Sequence, residues 1–347
     1  MSLLHHLRGR AQWLAALAIA VVLASVAVRA DADDRKYRNV DPIYYVRVTG
    51  DDLNDGLTPA TALRTITAAA AKAVPGARIY VGGGTYVESR IGPAMSGIAG
   101  KPISFIADTD GARTGDAGEV LIDATGLISG FELSGRSYVE INAFTIKGAL
   151  GGGIFIKSQS NFVTVTNNIT TDNVGKGIYI LDSSYARVVN NLSARNGEDG
   201  ILVGGKVSGS NDVEIVNNTV TKNAGPGITV GASTTLPSAG VVLLNNIIHL
   251  NTGQGVKLHP ISRDRFVADY NINTNGYYSG TTVGPHSLVV DPQFVDAANG
   301  NFRLQATSPG LDFGSTLAAD LGLDALSARG DGALDGGQVD LGFHFRP

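Results

Sequence analysis

The sequence predicts an all-β chain, a right-handed parallel β-helix whose stacked coils are closed at the N-terminal end by a helical cap. Three observations carry this. The pair Asn167-Asn168 returns as Asn190-Asn191, Asn217-Asn218 and Asn245-Asn246, with Tyr270-Asn271 as a weaker fifth copy, at spacings of 23, 27, 28 and 25 residues. A period of that length marks a solenoid. A lone Asn follows the second Asn of each full pair by five positions, at Asn173, Asn196, Asn223 and Asn251. Each unit then reaches Gly177-Ile178, Gly200-Ile201, Gly227-Ile228 or Gly255-Val256. Between these markers lie β-branched segments such as Val163-Thr164-Val165, Val213-Glu214-Ile215-Val216 and Val241-Val242-Leu243-Leu244, too short for helices and strand-like in composition.

A unit this short cannot bury an apolar face alone, so each strand must pair in parallel with its counterpart in the next coil, about 4.8 Å away. Asn at a fixed turn position then forms a hydrogen-bonded ladder. A leucine-rich repeat would show regular Leu spacing, and a calcium-binding roll would show Gly-Gly-x-Gly-x-Asp about every nine residues. Neither pattern is present.

Arg8 and Arg10 precede an apolar run from Trp13 to Val28, followed by Val28-Arg29-Ala30 and the charged stretch Asp31-Ala32-Asp33-Asp34. This is a signal-peptide layout with cleavage after Ala30, the run falling short of the roughly 20 residues of a spanning helix. An uncleaved anchor is the alternative, and no second apolar segment of spanning length follows. Residues 1–30 are therefore read as a signal peptide and 31–78 as a leader with a capping helix over Ala60 to Val74. Residues 79–290 are read as coils and 291–347 as a C-terminal segment packing on or capping the solenoid. Ile79-Val81, Ile103-Phe105, Val120-Ile122, Phe131-Leu133 and Tyr138-Ile141 mark earlier, less regular coils.

Composition agrees with one repetitive body. With 45 glycines, 43% hydrophobic and 17% charged residues, the chain can bury a large core without the composition of a disordered one. It has no cysteine, so packing and backbone ladders must supply its stability. A formal charge of -4 argues against a nucleic-acid partner.

Several segments resemble pectate-lyase-like β-helix proteins. They include Tyr44-Tyr45-Val46, Gly50-Asp51-Asp52-Leu53-Asn54-Asp55-Gly56, Arg64-Thr65-Ile66, and Pro75-Gly76-Ala77-Arg78-Ile79-Tyr80-Val81 through Gly83-Gly84-Thr85-Tyr86-Val87-Glu88. The tail resembles the same exported group through Asp291-Pro292-Gln293-Phe294, Ser308-Pro309-Gly310 and Val339-Asp340-Leu341-Gly342. The resemblance implies the fold and leaves activity open, because this scaffold hosts lyases, hydrolases, epimerases and binders. Asp-Pro-His-Asp, as in alginate C5-epimerases, is absent, as is the Gly-His-Gly of polygalacturonases.

Aligning the Gly-Ile markers points Ile178, Ile180, Ile201, Val203, Ile228 and Val230 inward. The intervening residues then form an outer stripe of Phe155, Tyr179, Leu202, Thr229 and Lys257. Beside it runs a second stripe of Lys157, Leu181, Gly204, Gly231 and His259. Exposed aromatics ending in a cationic pair describe a groove for sugar rings with acidic groups, with Phe155, Tyr179, Lys157 and Thr229 as substrate contacts. The plainer reading is a wall whose aromatics pack under a loop.

Gly255-Val256-Lys257-Leu258 resembles the Gly-Phe-Lys-Leu segment that carries the base lysine in calcium-dependent pectate lyases of the family nine type. Asn196-Gly197-Glu198-Asp199-Gly200 resembles their acidic metal-binding turn. The resemblance implies Lys257 as base and Ca²⁺ held by Glu198 and Asp199; a calcium site needs several oxygen ligands, and Asp172 or Asp182 is the further candidate. Abstraction of the proton α to a uronate carboxylate needs a base and a cation for the developing charge. His259 is a second base candidate, and Arg263 with Arg265 is a metal-free way to neutralise the carboxylate. The register also offers a structural account, placing Asp199 beside Lys176 and Asp172 between Lys147 and Arg195 as cross-coil ion pairs.

The reading that follows is a secreted or periplasmic, monomeric polysaccharide lyase acting on an acidic, uronate-containing glycan by β-elimination. A non-catalytic polysaccharide-binding solenoid and a uronate C5-epimerase remain as alternatives.

Overall fold

The computed structural model describes residues 41–231, 236–274, 278–279 and 284–346. The segment read as a signal peptide, with its cleavage point at Ala30, lies outside them. The described chain winds through three parallel sheets of nine, eight and seven strands. One coil runs through Thr164–Thr166 in the first sheet, Ile169–Thr171 in the second and Lys176–Leu181 in the third. The next repeats this as Arg187–Val189, Leu192–Ala194 and Ile201–Gly204. Val165 pairs with Val188, Thr170 with Ser193 and Ile178 with Ile201, so the register follows the sequence repeat. This is the parallel β-helix that the repeat predicts. Val165, Val188, Ile215 and Leu243 from the first sheet meet Ile178, Ile201, Ile228 and Val256 from the third in one core.

The Asn-Asn pair works as a two-part corner between the first and second sheets. Its first member is left-handed, with φ of 59°, 53°, 55° and 59° at Asn167, Asn190, Asn217 and Asn245. Asn tolerates this conformation better than most side chains. Its second member turns inward and is fully buried at Asn168, Asn191, Asn218 and Asn246. Nδ2 of Asn168, Asn191, Asn218 and Asn246 donates to Oδ1 of the next coil's Asn at 3.1, 3.0, 3.0 and 3.0 Å, ending on Asn271. The lone Asn forms a second ladder, Asn173 to Asn196 to Asn223 to Asn251, each step 2.9 Å.

A third ladder escaped the sequence reading. Ser160, Ser183, Ser210, Ser238 and Ser262 are buried, and each hydroxyl oxygen after the first accepts the backbone N–H of the serine one coil earlier, at 2.9–3.1 Å. Serine is common enough that the spacing did not stand out.

The glycine of each Gly-Ile marker sits where no Cβ fits, Gly200 and Gly227 against the lone-Asn ladder. A Cβ at Gly177 would lie 2.0 Å from Ser193 Oγ, and one at Gly227 would lie 2.6 Å from Ile248 Cγ2. Gly227→Ala is therefore expected to cost about 1–3 kcal/mol through overpacking. An unchanged urea midpoint would show that the corner has room.

At the N-terminal end the helix is shorter than the expected Ala60–Val74. It covers Ile66–Lys72, preceded by a 3₁₀ turn over Pro59–Thr61. The extended Leu63 bridges Val46, and Thr65 caps the helix by accepting from the Ala68 N–H. Glu88, whose two carboxylate oxygens accept the N–H groups of Ile66 and Thr67 at 2.8 and 2.9 Å, completes the cap. The strand Ile43–Val46 pairs with Arg78–Gly82 and so already belongs to the first sheet.

The tail begins with the antiparallel pair Phe294–Asp296 and Asn301–Leu304. Its Phe294, Phe302, Leu304, Leu341 and Phe343 pack on the outward residues Leu192, Ala194 and Ile247 of the second sheet. The outer Asn side chains of the corner hold the strap that follows. Asn190 exchanges two hydrogen bonds with the His344 backbone at 2.6 and 3.0 Å, and Asn217 Nδ2 donates to Asp340 O at 2.7 Å. The repeat thus serves the coil stack with one Asn and the tail with the other.

Within the strap, His344 Nε2 lies 2.7 Å from Asp335 Oδ2, and Asp340 Oδ1 accepts the Asp312 N–H at 2.7 Å. Burial pushes the Asp340 carboxyl from 3.8 up to about 6, the Asp312 N–H opposing the rise and the Asp335 charge adding to it. A carboxyl raised in the folded state binds its proton more tightly there than when unfolded. Its stabilising contribution is complete below about 3.8 and is lost as pH rises through about 6. Asp340→Asn is expected to raise Tm by about 2–4 °C at pH 7.5 and by little at pH 4. An equal effect at both values would remove Asp340 from the pH dependence.

Candidate functional site

With the second sheet's outer face covered by the tail, the third sheet presents the candidate wall. Its register runs Glu132, Phe155, Tyr179, Leu202, Thr229 and Lys257 across successive coils, the stripe expected from the sequence with Glu132 added at its head. Glu132 was missed because its coil lacks the Asn-Asn marker. Exposure departs from the expectation. Lys257 is exposed and Phe155 and Tyr179 are half-buried, but Leu202 and Thr229 retain only 7% and 5% of their surface. Thr229 Oγ1 is hydrogen-bonded to Asp199, whose turn folds over it.

The aromatic pair presents ring edges, where the sequence suggested open faces. Phe155 and Tyr179 stack with centroids 4.6 Å apart and planes within 1°. At a coil spacing of about 4.8 Å, such rings spend their facing surfaces on each other and turn their edges outward. Lys157 and Lys176 lie 4.9 and 5.0 Å from the two ring centroids, which covers the pair further. Burial, with the nearby Asp182, Glu198 and Asp199 charges adding to it, holds the Tyr179 hydroxyl above the usual phenol range.

Most charges of this wall are internally matched. Lys157 pairs with Glu132 at 2.9 Å, and Lys176 pairs with Glu198 instead of the expected Asp199. Asp182 is held by the N–H groups of Lys206, Val207 and Ser208 at 2.8–2.9 Å. Burial alone would raise its pKa, but these backbone donors outweigh burial and keep it below the ordinary carboxylate value. Asp172 receives two hydrogen bonds from Arg195, each 2.9 Å, and its carboxyl is held low chiefly by that guanidinium.

These partners decide the fit of a metal. Glu198, Asp199 and Asp172 hold Lys176, Thr229 and Arg195 in turn, and Ca²⁺ needs six to eight converging oxygens. Among the described residues, the one set of three acidic or histidine ligand atoms lying within 4.8 Å of one another is Asp335, Asp340 and His344, in the buried strap. The residues singled out for calcium therefore do not compose a site, and no step below runs through a metal.

At the C-terminal end of the wall the charge matching stops. Lys257 sits outward at the centre of Val256–Leu258, and His259 follows at the strand end, half-buried, its Nδ1 buried without a hydrogen-bond partner. Arg263 closes the turn Pro260–Ser262 and is exposed. Among the described residues no carboxylate pairs with Lys257 or Arg263. Arg265 is placed differently: it bridges to Asp212 at 2.5 Å, across Gly240, on the turn that leads into the first sheet. The structure thus places Lys257 on the strand, His259 just past its end and Arg263 beyond the turn, and ties Arg265 to a structural ion pair.

Comparison with known proteins matches the geometry. Residues 129–288 match a family model described as a right-handed β-helix region. No curated protein matches the chain in sequence. Among solved structures, a GH136 lacto-N-biosidase from Eubacterium ramulus is similar at 16% identity and TM-score 0.51, over 66% of this chain and 51% of that one. The chain thus spans about half of that protein. A rhamnogalacturonan lyase is similar at 17% identity and TM-score 0.40, over 71% of this chain and 67% of that one. The pectate lyase Pel9A stands at 16% and 0.40, over 88% and 96%. These likenesses concern the fold. Among the described residues no helix is long and apolar enough to cross a membrane.

Proposed function

We propose that the chain, after export, binds an acidic polysaccharide on the outer face of the third sheet and cleaves it by β-elimination at the Lys257 end. The observation that carries this reading is the break in charge matching. Along a wall whose other charges are largely paired, Lys257 and Arg263 are exposed cations without a carboxylate among the described residues. An acidic glycan supplies the missing partners. Chain units further along the wall meet the aromatic edges, the Tyr179 hydroxyl and the Lys157 and Lys176 ammonium groups.

In this mechanism the Lys257 amine takes the proton α to a uronate carboxylate. The electron pair left on that carbon forms a double bond to the adjacent ring carbon, and the glycosidic oxygen on that second carbon departs. Arg263 offers a fork of N–H donors to the carboxylate, which gains charge as the proton leaves. His259 stands two residues from the base, where a proton donor for the leaving oxygen is useful.

The experiment is direct. Purified protein is incubated with a panel of uronate polymers while the absorbance of the unsaturated product is followed. Product formation supports the lyase. Binding to a polymer without product, read by affinity electrophoresis, would replace it with the non-catalytic reading. That reading is favoured by one observation: among the described residues no carboxylate lies beside Lys257 to take up the proton it would remove.

A further inference from the structure

A cleft of about 270 Å³ opens between the tail and the early coils of the second sheet, on a different wall from Lys257. Its feature is a guanidinium without a counter-charge among the described residues. Arg303, on the strand Asn301–Leu304, is half-buried, and burial alone pushes its pKa down, with no neighbouring charge opposing the shift. Among the described residues its N–H groups reach only the backbone oxygens of Ser327, Arg329 and Arg346, at 3.4–3.5 Å, near the outer limit for a hydrogen bond. Elsewhere in the fold, arginines Arg47, Arg187, Arg195 and Arg265 each contact a carboxylate within 3 Å. Leaving a desolvated cation with weak partners is costly, and sites that bind anions are where that cost is offset.

The surroundings favour a ligand. Arg303 lies over the Phe345 ring at 4.3 Å, which fixes the plane of its fork. Arg346, exposed and near enough to Asp110 to help lower its carboxyl but in no close ion pair among the described residues, donates to Thr109 Oγ1 at 2.8 Å from the same cleft. Ile169 and Phe343 give an apolar wall, and Thr145 adds a hydroxyl. The one carboxylate of the lining, Glu119, is exposed on the rim and bonds to neither arginine. A ligand that satisfies all of these has a planar carboxylate for the guanidinium fork, hydroxyls that donate to Glu119, and a C–H face for the apolar wall. A cleft of this volume holds roughly one sugar ring and not a folded peptide.

We propose that this cleft is a second binding site, taking a single uronate unit through Arg303 and Arg346. It does not rest on catalysis at Lys257. The test is calorimetric titration of the full chain with glucuronate, with glucose as the neutral counterpart and acetate as the bare carboxylate. Saturable glucuronate binding is expected, weakened about tenfold or more by Arg303→Gln and by Arg346→Gln, since a charge-assisted bidentate contact is lost. Because the Lys257 end can itself take a uronate, Lys257→Ala is titrated beside the arginine variants: glucuronate binding retained in Lys257→Ala supports the second site, and binding lost in Lys257→Ala but retained in Arg303→Gln overturns it. Equal binding of glucose overturns the proposal, as does acetate binding as tightly as glucuronate. If Arg303→Gln fails to fold, the exposed Arg346→Gln decides alone, and unchanged affinity in it overturns the proposal.

Discussion

Asn218→Ala is expected to destabilise the β-helix by about 2–4 kcal/mol, because one buried side chain serves three coils at once. Its Nδ2 donates to Val188 O, Val216 O and Asn246 Oδ1 at 2.9–3.0 Å, while its Oδ1 accepts the backbone N–H and Nδ2 of Asn191 at 2.8 and 3.0 Å. Removal leaves the Asn191 N–H dry and unpaired and strips the Val188 and Val216 carbonyls and Asn246 Oδ1 of a side-chain donor. Each such orphan costs about 1–3 kcal/mol, far more than a surface polar contact. Asn218→Asp is expected to be no better, since a carboxylate cannot donate to those carbonyls and is buried without a counter-charge. Urea unfolding followed by far-ultraviolet circular dichroism reads both. A midpoint equal to the parent for Asn218→Ala would mean that water can enter the corner and that the ladder is not what holds the coils.

Lys257→Ala is expected to abolish uronate cleavage, with a loss of about a hundredfold or more, typical of removing a general base. The fold should stand, because Lys257 points outward between the buried Val256 and Leu258 and its truncation opens no cavity. Lys257→Arg should be as inactive, since arginine keeps the charge but does not accept a proton near neutral pH. The pair of variants separates two roles. Activity retained in Lys257→Arg makes the residue a carboxylate anchor and moves the base to His259. Activity retained in Lys257→Ala removes it from the chemistry.

The candidate site was only partly readable in advance, for reasons that differ residue by residue. The outward row from Phe155 to Lys257 followed from the alternation of a strand and the spacing of the Gly-Ile markers, and the pairing of Thr229 with Lys257 agrees with it. What a row cannot convey is distance within a coil. Asp199 was matched with Lys176 by register, yet the adjacent Glu198 reaches that lysine while Asp199 turns to Thr229. Arg265, eight positions after Lys257, reads as its neighbour in the sequence but lies past a corner, bridged to Asp212. Arg303 drew no notice because its isolation from acids depends on which tail segments fold together.

The coil stack was written in local pattern: Asn tolerating a left-handed corner, a second Asn turned inward, and a glycine where no Cβ fits. Each is a constraint that a residue satisfies within its own turn and repeats by translation, so one dimension of sequence suffices to state it. The tail, the matching of charges and the open cleft had to await the tertiary structure. They arise where the chain returns over distances of up to 237 residues, as between Thr109 and Arg346, and contacts of that kind leave no period to read.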